Sequence, residues 1–316
     1  MSNRPESPPR VIRDTSFVIE RGPFALDRAL RDAHPGSSWN DVRRIVRTGK
    51  VTVDGAIVVD PTAMVGTGSS IAVRMAAPRR AAPGQVTKDV LVHVDSHIVV
   101  VDKPAGIATV PHDDERDTLD RLVQSLLRKT ARPGTTVPPL GVVQRLDKET
   151  SGLLVFSRTT TAKRELQQQL RSHSMHRRYV ALANGKVRAG TIRSRLVQDR
   201  GDGRRGSTGR DDLGRESVTH VRVVEQFARA ALIECRLETG RTHQIRIHLS
   251  EARNPLVGER VYSRGFDDLL AAPRILLHAA ELGFVHPITR EELRFSRPVP
   301  DDMVAVIERE RAVRAL

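Results

Sequence analysis

Apolar residues recur along this chain with two periods, one helical and one alternating, and the switches between them mark its elements. After Phe24, the residues Leu26, Ala29 and Leu30 fall at helical spacing, and Pro35-Gly36 ends that first helix. Trp39, Val42, Ile45 and Val46 set a second helix whose remaining face carries Arg43, Arg44 and Arg47, with Lys50 just beyond. Val51 to Val53 then meet an Asp54-Gly55 turn and return through Ile57 to Val59, the pattern of a tight hairpin. Val65 and the run Ile71 to Val73 close a small sheet. Upstream, residues 1–20 are rich in Pro, Arg and Ser and read as a disordered tail. Residues 76–88, which begin Ala-Ala-Pro-Arg-Arg-Ala-Ala-Pro-Gly, read as a linker. A first domain over 21–75 and a second over 89–316 follow.

In the second domain Val90 to Val94 and Ile98 to Val101 read as strands, with a turn over Asp102 to Gly106. Thr118 to Lys129 is helical with Leu119, Leu122, Leu126 and Leu127 inward, and Thr159 caps a second helix reaching His173. Further strands are expected at Arg177 to Leu182, Val218 to Val224, Ala230 to Glu238, Ile275 to Leu277 and Leu282 to Val285. Met303 to Leu316 reads as a charged amphipathic helix. Residues 199–216, rich in Gly, Arg, Asp and Ser, form a long polar insertion, either mobile or ordered by a partner. Strands of mixed length with interspersed helices predict an α+β fold with a mixed, mainly antiparallel sheet.

The densest chemistry lies at 142–156, where Val142-Val143 and Leu153 to Phe156 flank a polar loop. Asp147 falls at a strand end beside Arg145, where a rigid sheet can present a carboxylate to a substrate. Taken alone, the stretch is better explained as an Asx-turn with a surface ion pair.

Composition narrows the partner. Lys and Arg outnumber Asp and Glu by 52 to 38, a formal charge of +14, and most of the basic residues are arginine. Guanidinium grips phosphate bidentately and stacks on bases, so nucleic acid is favoured over a membrane surface. The single cysteine, Cys235, excludes an internal disulfide framework and a cysteine-rich zinc site. No apolar run approaches the roughly 20 residues that span a bilayer. The N-terminus lacks the apolar stretch of a signal peptide. A cytoplasmic protein is expected, monomeric in the absence of any oligomer signature.

Gln-Arg-Leu-Asp-Lys-Glu-Thr-Ser-Gly-Leu-Leu at 144–154 resembles the catalytic motif of the RluA-type pseudouridine synthases, with Gln144 in place of the family's leading histidine. The resemblance recurs in order along the second domain. It includes Asp102 to Gly106, Arg177 to Gly185, Gly240 to Leu249, Leu277-His278-Ala279 and His286-Pro287. Such repetition is far more specific than one short motif. It implies a catalytic domain of pseudouridine synthase type. Residues 24–74 resemble an S4 domain, a small α+β RNA-binding module, which would place Arg43, Arg44, Arg47 and Lys50 on RNA backbone; an ordinary solvated helix face is the alternative.

The reaction implied is isomerisation of uridine in RNA, which needs no cofactor and no metal. The resemblance assigns the essential carboxylate to Asp147 and the active-site tyrosine to Tyr179. It implies Arg246 as the ion-pair partner of Asp147, with Arg241 the competing choice, and Arg145 reaching into the RNA where the base is extruded. Ile247 or Leu249 would form an apolar floor beneath the base. His243 and His248 are five apart and lie outside any zinc-peptidase pattern, so structural or RNA-contact roles are expected; His278 and His286 receive none. By family analogy the S4-like module favours ribosomal over transfer RNA. A non-catalytic ribosome-assembly factor retaining the fold, and a carboxylate-dependent N-glycosidase, remain as alternatives.

Overall fold

The computed structural model describes residues 12–77, 86–111, 117–132 and 134–314. The chain divides between Thr87 and Lys88 into two compact units.

The first unit runs β1 (Thr15–Val18), β2 (Phe24–Ala25), α1 (Leu26–Ala33), α2 (Trp39–Arg47), β3 (Val51–Val53), β4 (Ala56–Ile57), β5 (Met64–Val65) and β6 (Ser70–Val73). Its main sheet is ordered β1-β6-β3-β4 and is antiparallel throughout. Asp54 and Gly55 both take positive φ, 50° and 78°, which is what a two-residue hairpin turn requires. Leu26, Leu30, Val42, Val46, Val51 and Ile71 pack the core between the helix pair and the sheet. Ser38 caps α2 by accepting the Asp41 N–H at 3.1 Å.

The expected tail over 1–20 is corrected here. Thr15–Val18 pairs with β6, and Ile12 and Ile19 are buried. Polar composition hid a strand whose order comes from its partner rather than from its own sequence. The remainder of that expectation, residues 1–11, lies outside the described residues, as do 78–85 of the expected linker. The second unit already begins at Lys88, in a short 3-10 turn.

The second unit contains β7 (Leu91–Val94), β8 (Ile98–Lys103), α3 (Leu119–Thr130), β9 (Gly141–Val142), β10 (Ser151–Ser157), α4 (Thr160–Arg171) and β11 (His176–Asn184). There follow β12 (Gly190–Val197), β13 (Gly206–Thr208), β14 (Arg215–Gln226), β15 (Ala230–Leu237), α5 (Gln244–Glu251), β16 (Leu277–Val285), β17 (Glu292–Ser296) and α6 (Asp301–Arg314). One sheet of eleven strands is ordered β13-β12-β14-β15-β11-β16-β10-β8-β7, with β17 on β16 and β9 on β10. All its pairings are antiparallel except β10 with β16. The fold is thus mixed and mainly antiparallel, as the sequence led us to expect.

Burial explains the centre of this sheet. Every residue of β10 is buried, consistent with the continuous run Leu153 to Phe156 of a strand covered on both faces. Gly152 has φ 109°, and a Cβ there would overlap the Ala279 carbonyl, so only glycine lets β16 approach this closely. Leu166 and Ala162 of α4 pack on Leu153, Val155 and Phe284, while Met303 and Ile307 of α6 pack on Leu182 and Leu276.

Several boundaries shift from the sequence reading. Ile275 to Leu277 and Leu282 to Val285 are not two strands; β16 runs unbroken over Leu277–Val285, because Leu277 to Ala279 pair with β11 and Glu281 to Val285 with β17 on either side of Ala280. The inward face of α3 is Leu119, Val123 and Leu127, with Leu122 and Leu126 half-buried. The 199–216 insertion is partly sheet, since β13 pairs with β12 and β14 starts at Arg215.

Candidate active site

A cavity of about 400 Å3 opens at the end of β10 and β11, between the loop 144–150 and the turn into α5. It brings together Arg145, Asp147, Tyr179, Arg241 and Arg246, while Arg43, Arg44, Arg47 and Lys50 belong to the first unit. Its size suits one nucleoside-sized ligand.

The loop that carries Asp147 is fixed at nearly every residue. The Thr109 hydroxyl donates to the Leu146 carbonyl at 2.7 Å and accepts the Leu146 N–H at 3.1 Å. The Asp147 carbonyl accepts from Thr150 N, and the Lys148 carbonyl from Gly106 N and from Lys103 Nζ. Glu149 accepts the Ile275 N–H, and Ser151 Oγ meets His278 Nδ1 at 3.0 Å. Such a loop presents a side chain with little entropy left to lose.

Lys103 is the most unusual of these supports. Its side chain is wholly buried at the end of β8, and Nζ donates to the carbonyls of Pro104 and Lys148 at 3.0 Å each. Burial pulls its pKa down to about 7, against the upward pull of the Asp147 charge.

Opposite Asp147 stands Arg246 on the first turns of α5. Its Nη1 lies 3.6 Å from Asp147 Oδ2, and its Nε and Nη2 are held in a buried fork by Glu259 at 2.7 and 2.8 Å. Burial opposes the guanidinium charge, but the Glu259 bonds and the two carboxylates outweigh it and raise the pKa. Glu259 in turn accepts the N–H groups of Val261 and Tyr262, and its own pKa falls because Arg246 more than offsets burial. Arg241 lines the cavity but directs Nε to the Glu216 carbonyl, so Arg246 is the arginine closest to the carboxylate among the described residues.

Tyr179 sits on β11 opposite an irregularity in β16, where Ala280 is skipped between the partners of Arg178 and Tyr179, a device that re-aims side chains beside sites. Only 8% of it is exposed, and its hydroxyl has no hydrogen-bond partner among the described residues. Burial raises its pKa, so the phenol keeps its proton at neutral pH. His243 adopts a left-handed φ of 59° ahead of α5 and pairs Nδ1 with the Tyr262 hydroxyl at 2.8 Å. Its Nε2 is 3.9 Å from Asp147, beyond hydrogen-bond reach, and burial lowers its pKa. Arg145 is exposed at the mouth, with no partner among the described residues, and Gln144 lines the wall beside it.

One sequence expectation changes. The apolar wall comes from Leu146, Leu237, Ile245 and Leu277; Ile247 instead packs with Leu196 and Tyr262, and Leu249 is in the interior. The helical turn sends Ile247 to another face, and Leu249, on the same face as Ile245 but a full turn further along α5, lies in the interior. Sequence reading missed Glu259, Tyr262 and Thr109, none of which lies in a periodic or recognisable stretch. In the first unit, Arg43 pairs with Asp27, Arg44 pairs with Asp41, and Lys50 donates to the Ala77 carbonyl. Arg47 is exposed without a partner among the described residues. No cluster of His, Cys, Asp or Glu suited to a metal ion is present among the described residues.

Two human proteins with solved structures define the class of fold. RNA Pseudouridylate Synthase Domain Containing 4 superposes with a TM-score of 0.58 at 24% identity, over 71% of this chain and 93% of that one. RNA Pseudouridylate Synthase Domain Containing 1 gives 0.52 at 20% identity, over 74% and 98%. The family described as RNA pseudouridylate synthase matches residues 97–251. Relatives named Ribosomal large subunit pseudouridine synthase D are similar over nearly the whole chain. The one from Xanthomonas campestris is 35% identical over 92% of this chain and 90% of its own. That from Zymomonas mobilis is 36% identical over 89% and 92%. This chain therefore belongs to the RNA pseudouridylate synthase family and is an RNA pseudouridine synthase.

Proposed function

We propose that this protein converts particular uridines of large-subunit ribosomal RNA to pseudouridine in the cytoplasm, with Asp147 as the essential carboxylate acting on a base flipped into the cavity. The observation that carries this reading is the placement of Asp147 on a clamped loop, facing Arg246, in a cavity of nucleoside size. The printed name of the relatives supports the ribosomal substrate.

In this reading Asp147 promotes cleavage of the bond from ribose C1′ to uracil N1. The detached base turns, C5 bonds to C1′, the C5 proton leaves and N1 gains one. Neither redox change nor net hydrolysis occurs. Arg246 positions Asp147, and Arg145 enters the space left in the RNA. Tyr179 offers a ring to stack on uracil and a protonated hydroxyl for proton transfer near C5. Apolar walls at Leu146, Ile245 and Leu277 exclude water while the base is free. Residues 12–77 serve as an S4-like RNA contact, a role supported by the helix pair and by the exposed guanidiniums of Arg44 and Arg47.

Unmodified RNA labelled with tritium at uridine C5 tests the reading. Wild type should release tritium from large-subunit ribosomal RNA without free uracil. Asp147→Asn should bind that RNA yet release none. Free uracil would indicate a glycosidase; retained release in the variant, or none from wild type, would reject the proposal.

A further inference from the structure

A second cavity, of about 210 Å3, lies against α5 on the second unit. Four guanidiniums line it: Arg200 and Arg204 from the β12–β13 loop, Arg253 just after α5, and Arg264. Two of them are engaged, Arg200 with Asp202 at 2.9 Å and Arg253 over the Phe266 ring at 4.6 Å. The Arg204 guanidinium donates to the neutral Val261 carbonyl and makes no ion pair, sharing with Arg200 the charge of Asp202. Arg264 is exposed and has no partner among the described residues. One carboxylate, Glu251, also lines the cavity, but its oxygens receive the N–H and hydroxyl of Ser207 and so anchor β13. With Asp202 counted as well, four positive groups face two negative ones, and the cavity is net positive.

Its wall is shared with the active site. The Tyr262 ring lines this second cavity while the Tyr262 hydroxyl bonds His243, which lines the first. Arg205, next to Arg204, acts electrostatically on both Tyr262 and His243. A strand entering the first cavity is thus one tyrosine-histidine pair away from an arginine-lined recess.

We propose that the second cavity is a phosphodiester subsite of the RNA strand whose uridine enters the first cavity, gripped by Arg204 and Arg264. This rests on the reading of the protein as an RNA uridine isomerase acting on an extruded base. Guanidinium forks match phosphate oxygens, and Phe266, half-buried with Arg253 over one face, lines the same recess. The benefit falls where it is needed. Extruding a base costs stacking and pairing, and contacts to a flanking phosphate offset that cost by holding the backbone splayed. The 199–216 insertion therefore acts as an RNA-binding hairpin rather than as filler.

The test compares RNA affinity of the full chain against salt for Arg264→Gln, for Arg204→Gln with Arg264→Gln, and for a control pair, Arg164→Gln with Arg309→Gln. Both control arginines are exposed and line neither cavity. Ribosomal and transfer RNA transcripts serve as probes, and urea midpoints confirm folding. The double variant should bind about tenfold more weakly, with a salt slope shallower by about 1.5, as loss of two phosphate contacts requires. Arg264→Gln, which removes no internal bond, should show about half of that change in slope. Wild-type affinity and slope in both variants, or equal losses in the control, would overturn the subsite. Tritium release by wild type is scored separately: binding without release would reject the functional reading and still decide the subsite. An absence of any RNA binding by wild type would reject both.

Discussion

Glu259 shows how much of this site depends on a side chain that touches no substrate. Its fork fixes Nε and Nη2 of Arg246, leaving Nη1 to face Asp147. Glu259→Gln removes the charge and one acceptor, so Arg246 should swing off its line to Asp147. A loss of roughly 100-fold in kcat is expected, the scale of an ångström of misplacement, with KM little altered. Single-turnover tritium release reads it directly, and an unchanged kcat would show that Arg246 needs no such support. The neighbours Asp147, Tyr179 and Arg246 were singled out through resemblance to family motifs rather than local pattern, since the Asp147 loop taken alone reads as an Asx-turn and a strand tyrosine as core. Glu259 was not, because Gly258-Glu259-Arg260 has no period and its partner lies across a helix end. Lys103 was quoted within a motif yet assigned nothing, since a lysine is ordinarily expected at the surface.

Helices with a clear apolar stripe were legible to within a residue or two. Thr159 caps α4 as its sequence suggested, and α2 begins at Trp39. Short or two-faced strands were not: β12, with Gly190, Thr191 and alternating arginines, takes its order from β14, and β17 from β16. On α2, Arg43 and Arg44 are tied to Asp27 and Asp41, while Arg47 is unpaired among the described residues. If this helix face lies on RNA, the two tied arginines must exchange partners and Arg47 need not. Replacing Arg43, Arg44 and Arg47 together by Gln should weaken RNA binding by about tenfold or more and flatten its salt slope by at least about 1. An unaltered salt titration would remove the face from the interface.

Across the whole chain, acid should weaken the fold in two windows. His278 is buried and its pKa is pulled down to about 4, chiefly by burial, whereas an unfolded histidine titrates near ~6.5. The unfolded chain thus takes up the proton first, and stability present above pH ~6.5 declines as pH falls towards 4. Glu281, held by Arg178, Arg294 and His176, and Asp95, held by His93 and nearby amides, sit at about 2. Their contribution is complete above the unfolded carboxylate range near ~4 and is lost as pH falls through about 2. Urea midpoints between pH 7 and 2 should fall in both windows, and a flat midpoint from pH 7 to 4.5 would contradict the role given to His278. The parallel seam between β10 and β16 has a different consequence, in time rather than in energy. Ser151 and Gly152 wait for His278 and Ala279, residues from the last eighth of the chain. Because synthesis proceeds from the N-terminus, the Asp147 loop lacks this flank until the chain has been made through Ala279. A nascent or truncated chain ending before Arg274 would carry every proposed catalytic residue and still have no finished place to use them.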